Sequence, residues 1–384
     1  MVALTSADPA SLETVQACLL LAIALHGQNE LRESAQYLTT AIDGALAGGL
    51  HMTDSGDPNR TGAVMAESAR RTWWELWITE TFMATLHPRT TYRCGDTVLT
   101  PCLPCEDSLY SEGSALLNNP TLAQYSARVF LEPEPEFSSY AYRIDAVRAM
   151  SRFLNASAIH SVSPNSIQAV DNAVASWLHH LPEAKSSAVR NDGHVDELML
   201  QAQLFVHFTS ILMHLPRSGM PLTGQASCAT EVTPVFLTSQ RCALKARSSA
   251  NDILALAVLP MEDHSPLSIC CLVFACVTQL SAAAASDESK AEYQDSVIMV
   301  MGVIKSVGKT WELAMCALRR LRPLVARIFH PEDPFSAGAY DSTTVTDRSE
   351  YDSGVDLSMP MDLNDFNWSK FFDDLQGQSL DLAS

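Results

Sequence analysis

Between Glu67 and Trp77 the chain reads Glu-Ser-Ala-Arg-Arg-Thr-Trp-Trp-Glu-Leu-Trp, which places three of its six tryptophans within five residues. No Gly or Pro falls between Ala63 and His87, and Ala, Glu, Leu and Met recur, so the local choice is a helix. At about 100° per residue, Trp73 and Trp77 share one face, while Trp74 opens the adjacent face with Ile78. A helix with indoles on two faces has to be packed on more than one side, so a large helical body must surround it. Tryptophan at this spacing reads as core and not as a ligand cage. On the same reading Arg70 and Arg71 are structural, closing helix ends or pairing with carboxylates.

The flanking patterns supply that body. Ser11 to His26 opens on a capping residue and runs apolar to Gly27, which is expected to stop it. Glu30 to Leu46 carries a stripe of Leu31, Ala35, Leu38, Ile42 and Leu46, ending at Gly48 and Gly49. Thr53 to Gly62 reads as an exposed loop, and His87-Pro88 ends the tryptophan helix. Thr90 to Ser108, with Cys94, Pro101, Cys102, Pro104 and Cys105, suggests an ordered but irregular crossing. Glu132-Pro133-Glu134-Pro135 marks a stiff extended linker or loop. Helical patterns then resume over 140–159, 163–181, 195–215, 234–259, 266–285 and 288–307, with loops at 217–221 and 226–233. The last pattern, Lys309 to Phe329, repeats Trp311, Met315, Leu318, Leu321, Val325 and Ile328 near period 3.6. Strand-like alternation is nowhere sustained. The expected fold class is all-α, a large irregular helical domain of about ten or more helices over residues 1–331, followed by a disordered acidic tail over 332–384.

Charge separates the two parts. The chain carries a net charge of −19, and residues 332–384 hold 12 acidic against 2 basic residues, a net of −10. Gripping nucleic acid needs clustered Lys and Arg, so this balance argues against direct phosphate binding. Ten cysteines without a repeating spacing, three of them (Cys270, Cys271, Cys276) in an apolar run, fit free thiols in a reducing compartment. No signal peptide is expected after Met1, and the sequons at Asn59, Asn155 and Asn367 then carry no meaning. Val15 to Leu25 is too short to span a membrane. Leu267 to Ala285 is interrupted by Ser268, Thr278, Gln279 and Ser281, so both are read as buried helices.

Candidate chemistry is sparse. Cys102 and Cys105 have the spacing of a metal or redox pair, but no second pair completes four ligands, and a thioredoxin-like role needs a strand–helix setting. Gly302 to Thr310 ends in Gly-Lys-Thr, yet its leading Gly is one residue too far away and no strand precedes it. Asp373-Asp374 resembles half of an acidic pair-and-third motif, with Gly377 where the third acid would fall. His179-His180, and His207 with His214 on one helix face, have no acid at zinc-protease spacing. No cofactor, metal or catalytic residue is assigned, and an enzyme is not expected.

The tail carries a different signal. Its acidic residues interleave with Leu363, Phe366, Trp368, Phe371, Phe372 and Leu375, too few apolar groups for a core. In a helical form Trp368, Phe372 and Leu375 would line one stripe, suited to a partner's groove or to docking on the chain's own domain.

Taken in order, several stretches resemble the regulatory (middle homology) domain of fungal transcription factors that carry a six-cysteine zinc cluster. Ala41 to His51 is similar to that family's helix ending in Gly-Leu-His. Glu67 to Trp77 resembles its motif of a Glu, an Arg pair and a Trp pair, which here reads Glu-Ser-Ala-Arg-Arg-Thr-Trp-Trp. Leu103-Pro104-Cys105-Glu106 with Tyr110, Trp177 to Pro182, Leu212 to Pro216 and Lys309-Thr-Trp311 resemble later segments, so the likeness covers about residues 11–330. It implies a transcriptional regulator in the nucleus, serving a metabolic or specialised-metabolite gene cluster. Coactivators would meet the acidic tail, and a small-molecule effector would meet the helical domain. The family's zinc cluster and dimerising coiled coil are not found in these residues, so no zinc-ligand or base-contacting role is carried over. DNA would be reached indirectly, through a homo- or heterodimer with a zinc-cluster factor, or through a module preceding Met1. The competing readings are a negative regulator that blocks a full-length factor, and a helical small-molecule enzyme.

Overall fold

The computed structural model describes residues 8–52, 62–86, 92–96, 101–114, 119–133, 135–158, 164–220, 238–260, 264–285 and 290–329. The acidic tail lies outside them. The fold is all-α. Long helices are α1 (Leu12–Gly27), α2 (Leu31–Ala47), α3 (Ala63–Leu86), α6 (Ser139–Ala158), α7 (Pro164–His179), α9 (Glu197–His214), α10 (Ser239–Leu256), α11 (Leu267–Ala285), α12 (Lys290–Val307) and α13 (Glu312–Phe329). Three short helices also occur: α4 (Asp107–Ser111), α5 (Leu122–Ala127) and α8 (Glu183–Ser186). Among the described residues extended pairing is confined to a single bridge, Val189 with Val195.

Caps fall where the sequence places hydrogen-bonding side chains. Ser11 accepts the Thr14 amide, Asp196 accepts that of Met199 and Thr238 accepts that of Arg241. Thr121 and Gln124 form a reciprocal capping box on α5. The short helices were not legible, because four to six residues hold too little periodicity to register. Helix α9 begins at Glu197, two residues later than the pattern suggests, while residues 234–237 and 288–289, which the patterns assign to α10 and α12, lie outside the described residues.

Successive helices mostly pack on their neighbours: α1 on α2, both on α3, α3 on α6, and α6 on α7. Helix α9 is a shared partner of α6, α7, α10 and α11, and α11 packs further on α12 and α13. Every residue of α11 from Leu267 through Ala283 is buried. Two of its polar side chains are satisfied, Thr278 donating to the Phe274 carbonyl at 2.8 Å and Gln279 to Asn251 of α10 at 2.6 Å. By length and composition α11 and the segment Glu197–Arg217 are apolar enough to cross a membrane. In this fold 94% and 83% of their apolar windows are buried, so both serve as core helices. Phe82 of α3, Phe205 and Phe208 of α9 and Phe274 of α11 form a relay of rings with centroids 5.1–5.5 Å apart.

Gly27 does not stop α1. The helix includes it, and the reversal comes two residues later at Asn29, whose φ of 63° sits in the left-handed region. Glycine is needed at position 27 for proximity instead, because a Cβ there would lie 2.3 Å from the Trp311 ring ahead of α13. The first and last described helices thereby close against each other. Gly27→Ala should lower stability by about 1–3 kcal/mol, read by urea unfolding. Adding Trp311→Leu should recover part of that loss, and a purely additive double variant would show that the ring is not the obstacle.

Candidate functional site

Helix α3 buries Trp73, Trp74 and Trp77 to 0%, 0% and 2% exposure, yet its distinguishing feature is that two acids, Glu67 and Glu80, are buried with them. Glu67 is fully buried and receives four donors. Its Oε1 accepts the Cys105 amide and Arg71 Nε, both at 2.9 Å. Its Oε2 accepts Asn119 Nδ2 at 2.8 Å and the Arg70 guanidinium. Thirteen residues on, Glu80 accepts the main-chain amides of Arg93 at 2.9 Å and Cys94 at 2.7 Å. Trp74 Nε1 donates to the Cys102 carbonyl at 2.9 Å, and Arg71 Nη2 to that of Cys105 at 2.8 Å.

Described parts of the irregular crossing, at Arg93–Cys94 and Cys102–Cys105, are thus bonded directly to α3. The remaining partners come from either side, with Leu103 N donating to the Pro120 carbonyl at 2.7 Å and Ser138 Oγ to that of Pro104 at 2.6 Å. Buried main chain without secondary structure must find such partners, since each orphaned group costs about 1–3 kcal/mol. Burial and the neighbouring Glu80 carboxylate push the Cys94 thiol well above its ordinary pKa. Burial and Glu67 also raise that of Cys105. Neither thiol is poised as a nucleophile.

Arg71 extends the network outward, reaching Asp107 at 2.5 Å and lying 4.4 Å over the Tyr110 ring. Glu75 faces α6, where Arg143 grips it through two nitrogens at 2.5 and 2.8 Å and Tyr140 donates at 2.7 Å. Burial pushes the Glu75 carboxyl up, but the Arg143 guanidinium and these hydrogen bonds outweigh it and hold the group below the usual carboxylate range.

The other sequence candidates lie apart. Cys102 and Cys105 flank the crossing described above, and no three His, Cys, Asp or Glu among the described residues could hold a metal. Burial pushes the Cys270 and Cys276 thiols up to about 12. Gly302 sits within α12. His207 pairs with Asp252 at 3.4 Å, and burial lowers its pKa despite that carboxylate. His214, fully buried, meets Asp171 at 3.1 Å, and Lys245 binds the other oxygen of the same carboxylate, tying α7, α9 and α10 together. Leu363, Phe366, Trp368, Phe371, Phe372, Leu375 and Asp373-Asp374 are outside the described residues.

Three of the quoted stretches do meet. The His51 ring, two residues past the left-handed Gly49, tilts against Trp73 with centroids 5.7 Å apart. Glu67, Arg71 and Trp74 hold the Cys102–Cys105 crossing, and Arg71 covers Tyr110. Further along, Trp177 Nε1 donates to the Tyr142 carbonyl at 3.0 Å, seating α7 on α6. The roles of Glu75 and Glu80 were missed in the sequence. The available signal was an acid on a helix whose neighbours three and four residues away (Leu76, Trp77, Met83 and Ala84 around Glu80) are all apolar.

Among the described residues the arrangement is an all-α body whose motif helix clamps an irregular crossing. Residues 4–144 match the model described as the fungal specific transcription factor domain. The chain is also 27% identical over 325 residues to the C6 finger domain transcription factor iacK of Pestalotiopsis fici. That alignment takes in 82% of this chain and 48% of the relative, so the chain spans about half the relative's length. Both matches are to transcription factors and not to enzymes. No solved structure matches. The family match ends within α6, so the likeness of residues 177–182, 212–216 and 309–311 lies outside it.

Trp74→Ala should cost about 3–5 kcal/mol by emptying a buried aromatic position, whereas Trp74→Phe, which loses mainly the bond to Cys102, should cost about 1–2 kcal/mol. A soluble Trp74→Ala variant with an unchanged urea midpoint would overturn this. The Asp171 carboxyl gives a pH test. Burial pushes it up, but hydrogen bonds from His214 and Lys245 hold it at about 2, below its ordinary value of 3.8. A depressed carboxylate contributes stability above its unfolded pKa and loses it as pH falls toward the folded one. Asp171→Asn should therefore destabilise by about 2 kcal/mol near neutrality, with the gap from the parent chain closing between pH 4 and 2. A gap independent of pH would exclude the ionised carboxylate as its cause.

Proposed function

We propose that the chain is the regulatory portion of a fungal transcriptional regulator acting in the nucleus. The observation that carries this reading is the clamp around α3, built from the same stretches that fall within the transcription factor family match. In this reading α3, with Arg70, Arg71, Trp73, Trp74 and Trp77, is the structural hub of a domain over residues 1–331 that holds or releases an adjoining effector segment. That segment is the acidic tail, residues 332–384, which recruits coactivators through Leu363, Phe366, Trp368, Phe371, Phe372 and Leu375. DNA is reached through a zinc-cluster module, whether on the same polypeptide or on a dimer partner, a reading supported by the similarity to a C6 finger domain transcription factor. A gene cluster for a specialised metabolite is the setting this supports, with a small molecule as the signal.

Fused to a foreign DNA-binding module, the full chain and residues 332–384 alone should each activate a reporter. Alanine at Phe366, Trp368, Phe371 and Phe372 together should abolish activation by both fusions while leaving protein levels unchanged. Silence from the tail fusion, or activation indifferent to the four aromatics, would remove the tail from the mechanism.

A further inference from the structure

The chain holds 25 basic against 44 acidic side chains, so a concavity where arginines outnumber acids stands against the overall field. Such a cleft, of about 170 Å³, opens between α5, the turn after it, α6 and α7. Arg128, Arg148, Arg152 and His180 line it together with a single carboxylate, Asp145. Asp145, Arg148 and Arg152 recur at three and four residues on α6 and so share one face. Arg128 is only 5% exposed and is fixed by the fold: its guanidinium lies 3.9 Å over the Tyr125 ring, and Nη1 donates to the Tyr125 carbonyl at 3.1 Å. Arg148 bonds Asp145 at 2.9 Å, which neutralises one of the three guanidinium charges. Arg152 is exposed at the rim.

From this geometry we infer that the cleft binds a small multiply charged oxyanion, a di- or tricarboxylate or a phosphate ester, as the effector of the domain. Planar guanidinium forks match carboxylate and phosphate oxygens in pairs, and positions already fixed by packing lose little freedom on binding. The volume selects for size. Sites for drug-sized apolar ligands run to about 300–1,000 Å³, so this one takes a compact ion. The inference deepens the regulatory reading by naming the class of its signal, and binding to the purified chain is measured apart from transcription. A chain that binds but fails every reporter test would sink the regulatory reading and leave the site standing.

The test is thermal melting and calorimetry of the full chain with citrate, inorganic phosphate or sodium chloride at matched ionic strength. A saturable rise in melting temperature with citrate, phosphate or both, absent with chloride, is expected. Response to citrate alone assigns a carboxylate ligand, and response to phosphate alone a phosphate ester. Arg152→Gln, at an exposed position, should weaken the interaction about tenfold or more. Ala173→Leu, which fills the cleft without changing its charge, should abolish it. Equal effects of all three salts, or binding unaltered in both variants, would overturn the proposal. So would an acidic peptide of residues 362–375 binding through Arg152 where citrate and phosphate do not, since the cleft would then be a peptide-docking site.

Discussion

The structure depends on carboxylates buried in a helix that is otherwise core. The described parts of the irregular crossing, residues 92–96 and 101–106, lie against α3, and buried amides and carbonyls among them need partners there. Glu67 and Glu80 supply the acceptors, while Trp74 and Arg71 supply the donors. Each of these side chains is costly to bury alone. Together they replace the partner strand that an ordinary sheet would provide, and the indoles between them bring the apolar area that makes the helix central.

This division of labour explains what was legible beforehand. The class, the long helices and the burial of three tryptophans all follow from spacing and composition, because apolar periodicity over sixteen or more residues leaves few alternatives. The irregular crossing was visible in part, since Pro101 and Pro104 argue against a long helix there, although Cys94–Asp96 form a single 3₁₀ turn. The partners of Glu75 and Glu80 were not visible. Arg143 lies 68 residues from Glu75, and the groups bound by Glu80 are backbone amides, which no residue type announces. Gly27 was read as a terminator because glycine most often ends helices. The Trp311 ring that requires it lies at the far end of the chain, beyond any local pattern.

The cleft lined by Arg128, Arg148 and Arg152 illustrates the same limit from the functional side. Arg148 and Arg152 share a helix face and could have been paired from sequence, but Arg128 and His180 arrive from other elements. Only the docking of α7 on α6, sealed by the Trp177 bond to Tyr142, brings them into one concavity. In an acidic protein, such a concentration of guanidinium groups is a property of the fold and not of composition.

One consequence follows from how the crossing is held. Its contacts to α3 run largely through main-chain amides and carbonyls, which every residue but proline offers alike. The strip can therefore drift in sequence while keeping its place, provided its shape is kept, whereas the helix that grips it cannot exchange Glu67 or Trp74 for anything lacking the same atoms. The recognisable signature of such a domain should accordingly reside in the gripping helix, with little of it in what is gripped. A short run of acids, arginines and indoles can then identify a helical body many times its own length.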